Sequence, residues 1–95
     1  MQSVIRSFAC KKTEALWQGR RVPAFSAFRV QAERKLAILD AATTLGDLRG
    51  LPGNRLESLR GDRKGQHSIR INDQWRLCFL WQEGDAHSVE LVDYH

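Results

Sequence analysis

The chain has 95 residues, of which 42 % are hydrophobic, and a net charge of +4. That length holds one domain with a single core, and that composition excludes a disordered chain. No stretch approaches the ~18 consecutive apolar residues of a membrane span, and a start in which Val4-Ile5 is followed at once by Arg6 lacks the apolar run of a signal peptide; a cytoplasmic protein is expected.

The charge is uneven. Residues 1–52 carry nine Lys/Arg against four Asp/Glu, and residues 53–95 carry six against seven. A basic balance favours an anionic partner without naming it. Cys10 and Cys78 lie far apart and outside any CxxC or Cys/His spacing, so two reduced, buried thiols are expected rather than a zinc site.

Along the chain, Val4 to Ala9 reads as a short strand and Thr13 to Gln18 as a short helix, broken by Gly19 and Pro23. Ser26 is placed to cap the main helix, because its hydroxyl can accept an unpaired amide of the first turn. Phe28, Ala32, Leu36 and Leu39 then form one stripe on a period near 3.6, which predicts a core-facing helix ending near Ala42. A further helical turn, Thr44 to Arg49, is capped by Thr44 and stopped by Gly50-Leu51-Pro52-Gly53.

The period then changes. Leu56 to Leu59 is extended, and Gln66 to Ile71 alternates, with Ile69 and Ile71 on one face. Trp75, Leu77, Phe79 and Trp81 alternate with Arg76, Cys78 and Leu80. Asn72-Asp73 suits a tight turn, Glu83-Gly84-Asp85 a second, and Ala86 to Val92 the last strand. The order predicts an α+β domain over residues 1–95, with helices covering one face of an antiparallel meander. Between Leu59 and Phe79 lie Arg60, Arg63, Lys64, Arg70 and Arg76 against Asp62 and Asp73, a cationic hairpin suited to a polyanion.

Three stretches resemble one family. They are Leu59-Arg60-Gly61-Asp62-Arg63-Lys64-Gly65-Gln66-His67-Ser68-Ile69-Arg70-Ile71-Asn72, Gln74-Trp75-Arg76-Leu77-Cys78-Phe79, and Val89-Glu90-Leu91-Val92-Asp93-Tyr94-His95. Together they look like HigB-type toxins of the RelE/ParE superfamily, and especially like its GraT branch. Ala32 to Thr43 and Ile5-Arg6-Ser7-Phe8 fit as well, so the likeness covers nearly the whole chain. It implies a RelE-like fold, with an N-terminal strand and two to three helices on a twisted antiparallel sheet of about four to five strands. It also implies a ribosome-dependent endoribonuclease that cuts messenger RNA during translation, without metal or cofactor. The implied partners are a HigA-type helix-turn-helix antitoxin, the 70S ribosome and mRNA, with operator DNA reached only through the antitoxin.

Metal-free RNA cleavage sets the 2′-hydroxyl on its own 3′-phosphate. It needs a proton acceptor, charge stabilisation on the phosphorane and a proton donor. Arginine stays protonated and fills only the middle role, with a fork of donors matched to phosphate. The resemblance gives that role to Arg60, where several members carry a catalytic basic residue, and to Arg76. On spacing alone Arg76 reads equally as a cross-strand pair. A C-terminal Asp-Tyr-His alone reads as a frayed tail. The resemblance makes Asp93, Tyr94 and His95 the acid–base group, since imidazole titrates near neutrality and tyrosine stacks on bases.

The resemblance gives Gln74 a polar contact to RNA, and Trp75 is expected in the core. Glu57 stands where some members carry a histidine; His67 is the candidate replacement, against a purely structural role on its strand. On the same resemblance Arg63, Lys64, Arg55, Arg20 and Arg21 are expected to grip ribosomal RNA, where phosphate contacts set affinity rather than sequence choice. Two other classes fit the same residues: a ParE-like inhibitor of a protein target such as DNA gyrase, and a non-catalytic ribosome-binding module.

Overall fold

The longest helix, α2, runs Arg29–Ala41 in a computed structural model that describes residues 3–93. Its stripe of Ala32, Leu36 and Leu39 is fully buried, as the spacing predicts. The start of the helix differs from expectation. Pro23–Phe28 wind as a 3₁₀ helix first, and the Ser26 hydroxyl donates back to the Pro23 carbonyl at 3.0 Å. Proline fixes φ for this tighter turn. Ser26 therefore sits inside it, and α2 begins after Phe28 with no side-chain cap.

Two shorter helices flank α2. The first, α1, spans Lys11–Trp17, and Thr13 on it accepts the Leu91 amide at 3.0 Å, which pins it to the last strand. The other, α3, spans Leu45–Arg49 and opens on the expected Thr44 cap. Thr44 Oγ1 accepts the Asp47 amide at 3.2 Å, and Asp47 Oδ2 accepts the Thr44 amide at 3.1 Å, a reciprocal capping box. The Thr43 hydroxyl, with the Thr43 and Thr44 amides, holds the Asp47 carboxyl below its ordinary pKa.

Four strands follow, β1 (Glu57–Ser58), β2 (Gln66–Arg70), β3 (Trp75–Gln82) and β4 (Asp85–Asp93), paired antiparallel in that order. This is the α+β meander expected. The N-terminal segment takes its place beside β4, but as two isolated parallel bridges, Ile5 to Ala86 and Phe8 to Val89, rather than as a strand. Between those bridges Ser88 has φ 53°, its amide is taken by the Ser7 hydroxyl at 2.9 Å, and the β3–β4 register shifts. A bulge of this kind breaks the ladder that a continuous edge strand needs.

The core fills the space between the helices and one sheet face. Leu77, Phe79, Ile69 and Leu91 meet Leu16, Phe28, Leu36 and Leu39. Trp75 belongs to it as expected, with its ring centroid 5.5 Å from Phe25 and 5.0 Å from Phe28. Of the free thiols, Cys78 is buried and Cys10 only half-buried. No helix among the described residues is long and apolar enough to cross a membrane.

Leu36→Ala is expected to cost ~2–5 kcal/mol in denaturant-induced unfolding, by lost transfer energy plus a cavity. Val30→Ala, nearly two turns earlier on the same helix and 66 % exposed, changes stability by less than ~0.5 kcal/mol. Equal losses would mean that α2 does not present the stripe to the core.

Candidate active site

The pleat of β3 sends Leu77 and Phe79 toward the helices and Arg76 and Cys78 the other way. Register fixes what surrounds them on that second face. Arg70 lies opposite Arg76, Ser68 opposite Cys78, and Glu57 opposite Ser68. Across the next strand, Cys78 faces Glu90 and Arg76 faces Val92. The face away from the helices is therefore polar, and its centre is nevertheless buried: Ser68 and Cys78 are both fully covered.

Arg76 is the most tightly held cation on this face. Its Nε donates to Ser68 Oγ at 2.7 Å, and Nη2 donates to the Arg55 carbonyl at 2.6 Å. Glu57 Oε1 stands 3.9 Å from Nη2, and the Arg76 side chain is only 11 % exposed. Arg55 reaches it through a left-handed backbone, φ 45°, that follows the 3₁₀ turn Pro52–Asn54. The cross-strand alternative weighed for Arg76 thus holds in part: the group is braced by the sheet and by the loop before β1. A guanidinium fixed this way offers its remaining donors in a set direction, which suits charge stabilisation on phosphate.

Arg63 spans the same face. Its Nη1 donates to Glu90 Oε1 at 2.7 Å and to Gln66 Oε1 at 3.1 Å, fastening the loop before β2 to β4. Cys78 lies in this neighbourhood. Burial pushes its thiol pKa up, Arg63 and Arg76 oppose that, and Glu90 adds to it. Lys64 is exposed on the loop, as are Arg20 and Arg21 after α1 and the side of Arg55.

At the far end of the hairpin Asn72 Oδ1 accepts the amides of Gln74 and Trp75, both at 2.8 Å, which closes the expected turn. Gln74 Nε2 donates to Asp93 Oδ2 at 3.0 Å. The Asp93 side-chain carboxylate and the hairpin glutamine are thus brought together. Asp93 pairs with Trp75, so its backbone neighbours that of Arg76 while alternation sends the two side chains to opposite faces. Tyr94 and His95 lie outside the described residues.

Arg60 is not brought to this end. The Leu59 amide donates to the Gln66 carbonyl, so Arg60 follows beyond the Gln66 end of β2, the end that pairs with Leu80 of β3. Leu80 and Trp75 are about 17 Å apart along the strand at ~3.3 Å per residue. Arg60 and Asp93 also belong to opposite edges of the sheet. The resemblance groups both around one phosphate, whereas register sets their main chains at opposite corners.

His67 stands on the helix side of the pleat, opposite Phe79, with ring centroids 6.1 Å apart and Nδ1 3.4 Å from the Ser58 hydroxyl. Its side chain and that of Arg76 leave the sheet on opposite faces. Burial, with Arg49 nearby, lowers its pKa below the ordinary 6.5. The neutral form is favoured on folding, so its stabilising contribution is full above pH 6.5 and is lost as pH falls through the lowered folded value. A histidine titration by NMR is expected to give a His67 midpoint below 6.5, and His67→Gln to flatten the stability profile under that pH. A midpoint at or above 6.5 would place the ring in water or beside an acid.

The HigB-like toxin family model, described as the RelE-like toxin of type II toxin-antitoxin system HigB, matches residues 12–95. Toxin HigB-1 of Vibrio cholerae is 58 % identical over 53 residues, which cover 56 % of this chain and 56 % of that protein; the aligned part spans about half of that relative. Endoribonuclease HigB of Proteus vulgaris is 34 % identical across 97 % of this chain and 100 % of its own length. Among solved structures, YafQ from E. coli BL21(DE3) superposes with a TM-score of 0.62 at 14 % identity, over 97 % of this chain and 93 % of its own. The YoeB dimer from Staphylococcus aureus gives 0.56 at 17 % identity, over 100 % and 99 %. At such identity these two speak for the fold alone. The family match and the full-length Proteus alignment together settle membership: the chain belongs to the HigB-like toxins, the RelE-like toxins of type II toxin–antitoxin systems, which act opposite an antitoxin partner.

Proposed function

We propose that this toxin is an endoribonuclease that cuts messenger RNA on the translating ribosome. The observation that carries the reading is the alignment along the whole of the Proteus protein, which is named an endoribonuclease. In the reaction the 2′-oxygen bonds to phosphorus as the bond to the 5′-oxygen breaks. A base takes the 2′ proton, an acid protonates the departing 5′-oxygen, and a 2′,3′-cyclic phosphate remains.

Arg76 stabilises the phosphorane with donors already fixed in direction. Asp93, whose side chain leaves the sheet on the face opposite Arg76 and is held there by Gln74, anchors the end of β4, and proton transfer falls to Tyr94 and His95. Arg60, Lys64, Arg55, Arg20 and Arg21 grip phosphates away from the reacting bond and set affinity and its salt dependence. Arg63 contributes by holding its loop against Glu90. The partners are a HigA-type helix-turn-helix antitoxin, the 70S ribosome and the message, with operator DNA contacted only through the antitoxin. Its place of action is the cytoplasm, where translation runs.

The test uses translating ribosomes programmed with a defined message and maps new 5′ ends. Wild type is expected to produce ends within the message. Arg76→Lys, Asp93→Ala and Tyr94→Phe each lower the cleavage rate, the first by about 100-fold or more, the usual worth of a charge-stabilising group. Translation that stops without new ends would show a ribosome-binding module instead, and blocked gyrase supercoiling would show a ParE-like inhibitor.

A further inference from the structure

We infer that Ser68 is a positioning residue for cleavage: its hydroxyl, together with the Arg55 carbonyl, holds the Arg76 guanidinium in the orientation that meets the scissile phosphate. The inference rests on the reading of Arg76 as the phosphate-stabilising group. An unbraced arginine has several rotatable bonds and must lose their freedom when it grips a transition state. Bracing it beforehand moves that loss into folding, which is where preorganised catalysis places it.

The bracing is specific. Nε and Nη2 lie on one edge of the planar guanidinium, and both are engaged there, at 2.7 Å to Ser68 Oγ and 2.6 Å to the Arg55 carbonyl. Two bonds along one edge of a plane fix both its position and its tilt. Among the described residues Nη1 makes no hydrogen bond, so donors remain for a phosphate oxygen. Glu57 is a weaker brace, since it stands 3.9 Å away on a side chain that is 57 % exposed.

Both bracing atoms are themselves anchored. Ser68 is fully buried in β2, with Cys78 opposite it, so its hydroxyl has no solvent to turn to. The Arg55 carbonyl follows Asn54, also fully buried. Asn54 donates to the Leu48 carbonyl at 3.1 Å and accepts from Lys35 Nζ at 2.6 Å. The orientation of Arg76 is thereby tied to α2 and α3 on the other side of the sheet. Nothing in the face's own charge requires a serine at this position; the bond to Nε does.

A purely structural serine would also stabilise the fold, so the test is a double-mutant cycle read in cleavage rate, with thermal unfolding alongside. Single-turnover cleavage is measured on programmed ribosomes for Ser68→Ala, Ser68→Thr, Arg76→Lys and the Ser68→Ala/Arg76→Lys pair. Ser68→Ala is expected to slow the saturated rate about tenfold or more while leaving half-saturation unchanged, the mark of an interaction made in the transition state. Ser68→Thr, which keeps the hydroxyl, restores most of the rate. The pair is no slower than Arg76→Lys alone, because residues acting as one unit are not additive.

Wild-type cleavage by folded Ser68→Ala overturns the inference, as does a pair whose loss is the product of the two single losses. Wild-type cleavage by Arg76→Lys instead removes the phosphate role of Arg76, and the positioning of Ser68 falls with it. Should Ser68→Ala unfold at the assay temperature, Ser68→Cys replaces it in the same cycle. It is near in size and its sulfur is a poor acceptor, so the same two readings apply.

Discussion

Strand β3 carries Leu77 and Phe79, both fully buried, into the helical layer at every second residue, and that alternation decides what the opposite face can hold. Because the pleat has period two, Arg76 and Cys78 have no choice of side once Leu77 and Phe79 are committed. The stripe on α2 makes the commitment firm. A slip of one residue would drive Arg76 into Leu36 and Leu39 and expose two large apolar side chains, a cost of several kcal/mol at roughly 1.5–3 kcal/mol per side chain. The position of the arginine is thus a consequence of core packing, and its orientation a consequence of Ser68 and Arg55.

Charge on the polar face is divided between held and solvated cations. Arg63 is paired with Glu90, Arg70 with Asp73, and Arg76 with the Arg55 carbonyl and Ser68. The Arg63 and Glu90 side chains are 31 % and 23 % exposed, enough cover for the pair to hold the loop before β2 in place. The Arg70 pair, whose Asp73 is wholly open to solvent, adds little. Arg60 and Lys64 remain on the surface. A cationic hairpin read as one patch therefore contains two populations, and only the solvated one is free to follow a flexible polyanion.

Local rules reached far into this fold, and they failed where distant chain segments or the backbone decide. The helix stripe at Leu36 and Leu39, the Thr44 cap, the Asn72 turn and the core role of Trp75 all rest on spacing or turn chemistry within a few residues, and all were legible. Ser26 looked like a cap because serine before an apolar run usually is one. Pro23 three residues earlier imposed a tighter turn and took its hydroxyl. The strand expected at Val4 to Ala9 depended on an unbroken partner, and the bulge at Ser88 lies more than seventy residues away in sequence. Arg60 and Asp93 could be matched to a family without their separation being visible, since register is set by pairing across the sheet. The hold on Arg76 was least legible of all, because a backbone carbonyl such as that of Arg55 has no side-chain signature.

Glu57 sharpens how the proposed nuclease would divide its labour. A carboxylate 3.9 Å from the Arg76 fork lowers the positive potential where a phosphate must arrive. Its exposure leaves that effect screened by water and salt, so it weakens attraction at long range more than contact at short range. Affinity on the proposed reading then comes mainly from the solvated cations, whose phosphate contacts weaken steeply as salt rises. Rate comes from Arg76, whose bond to the fully buried Ser68 is shielded from solvent and responds little to ionic strength. Salt would govern how often RNA is held and the buried brace how fast it is cut, a separation that follows from which arginines the sheet has fastened and which it has left in water.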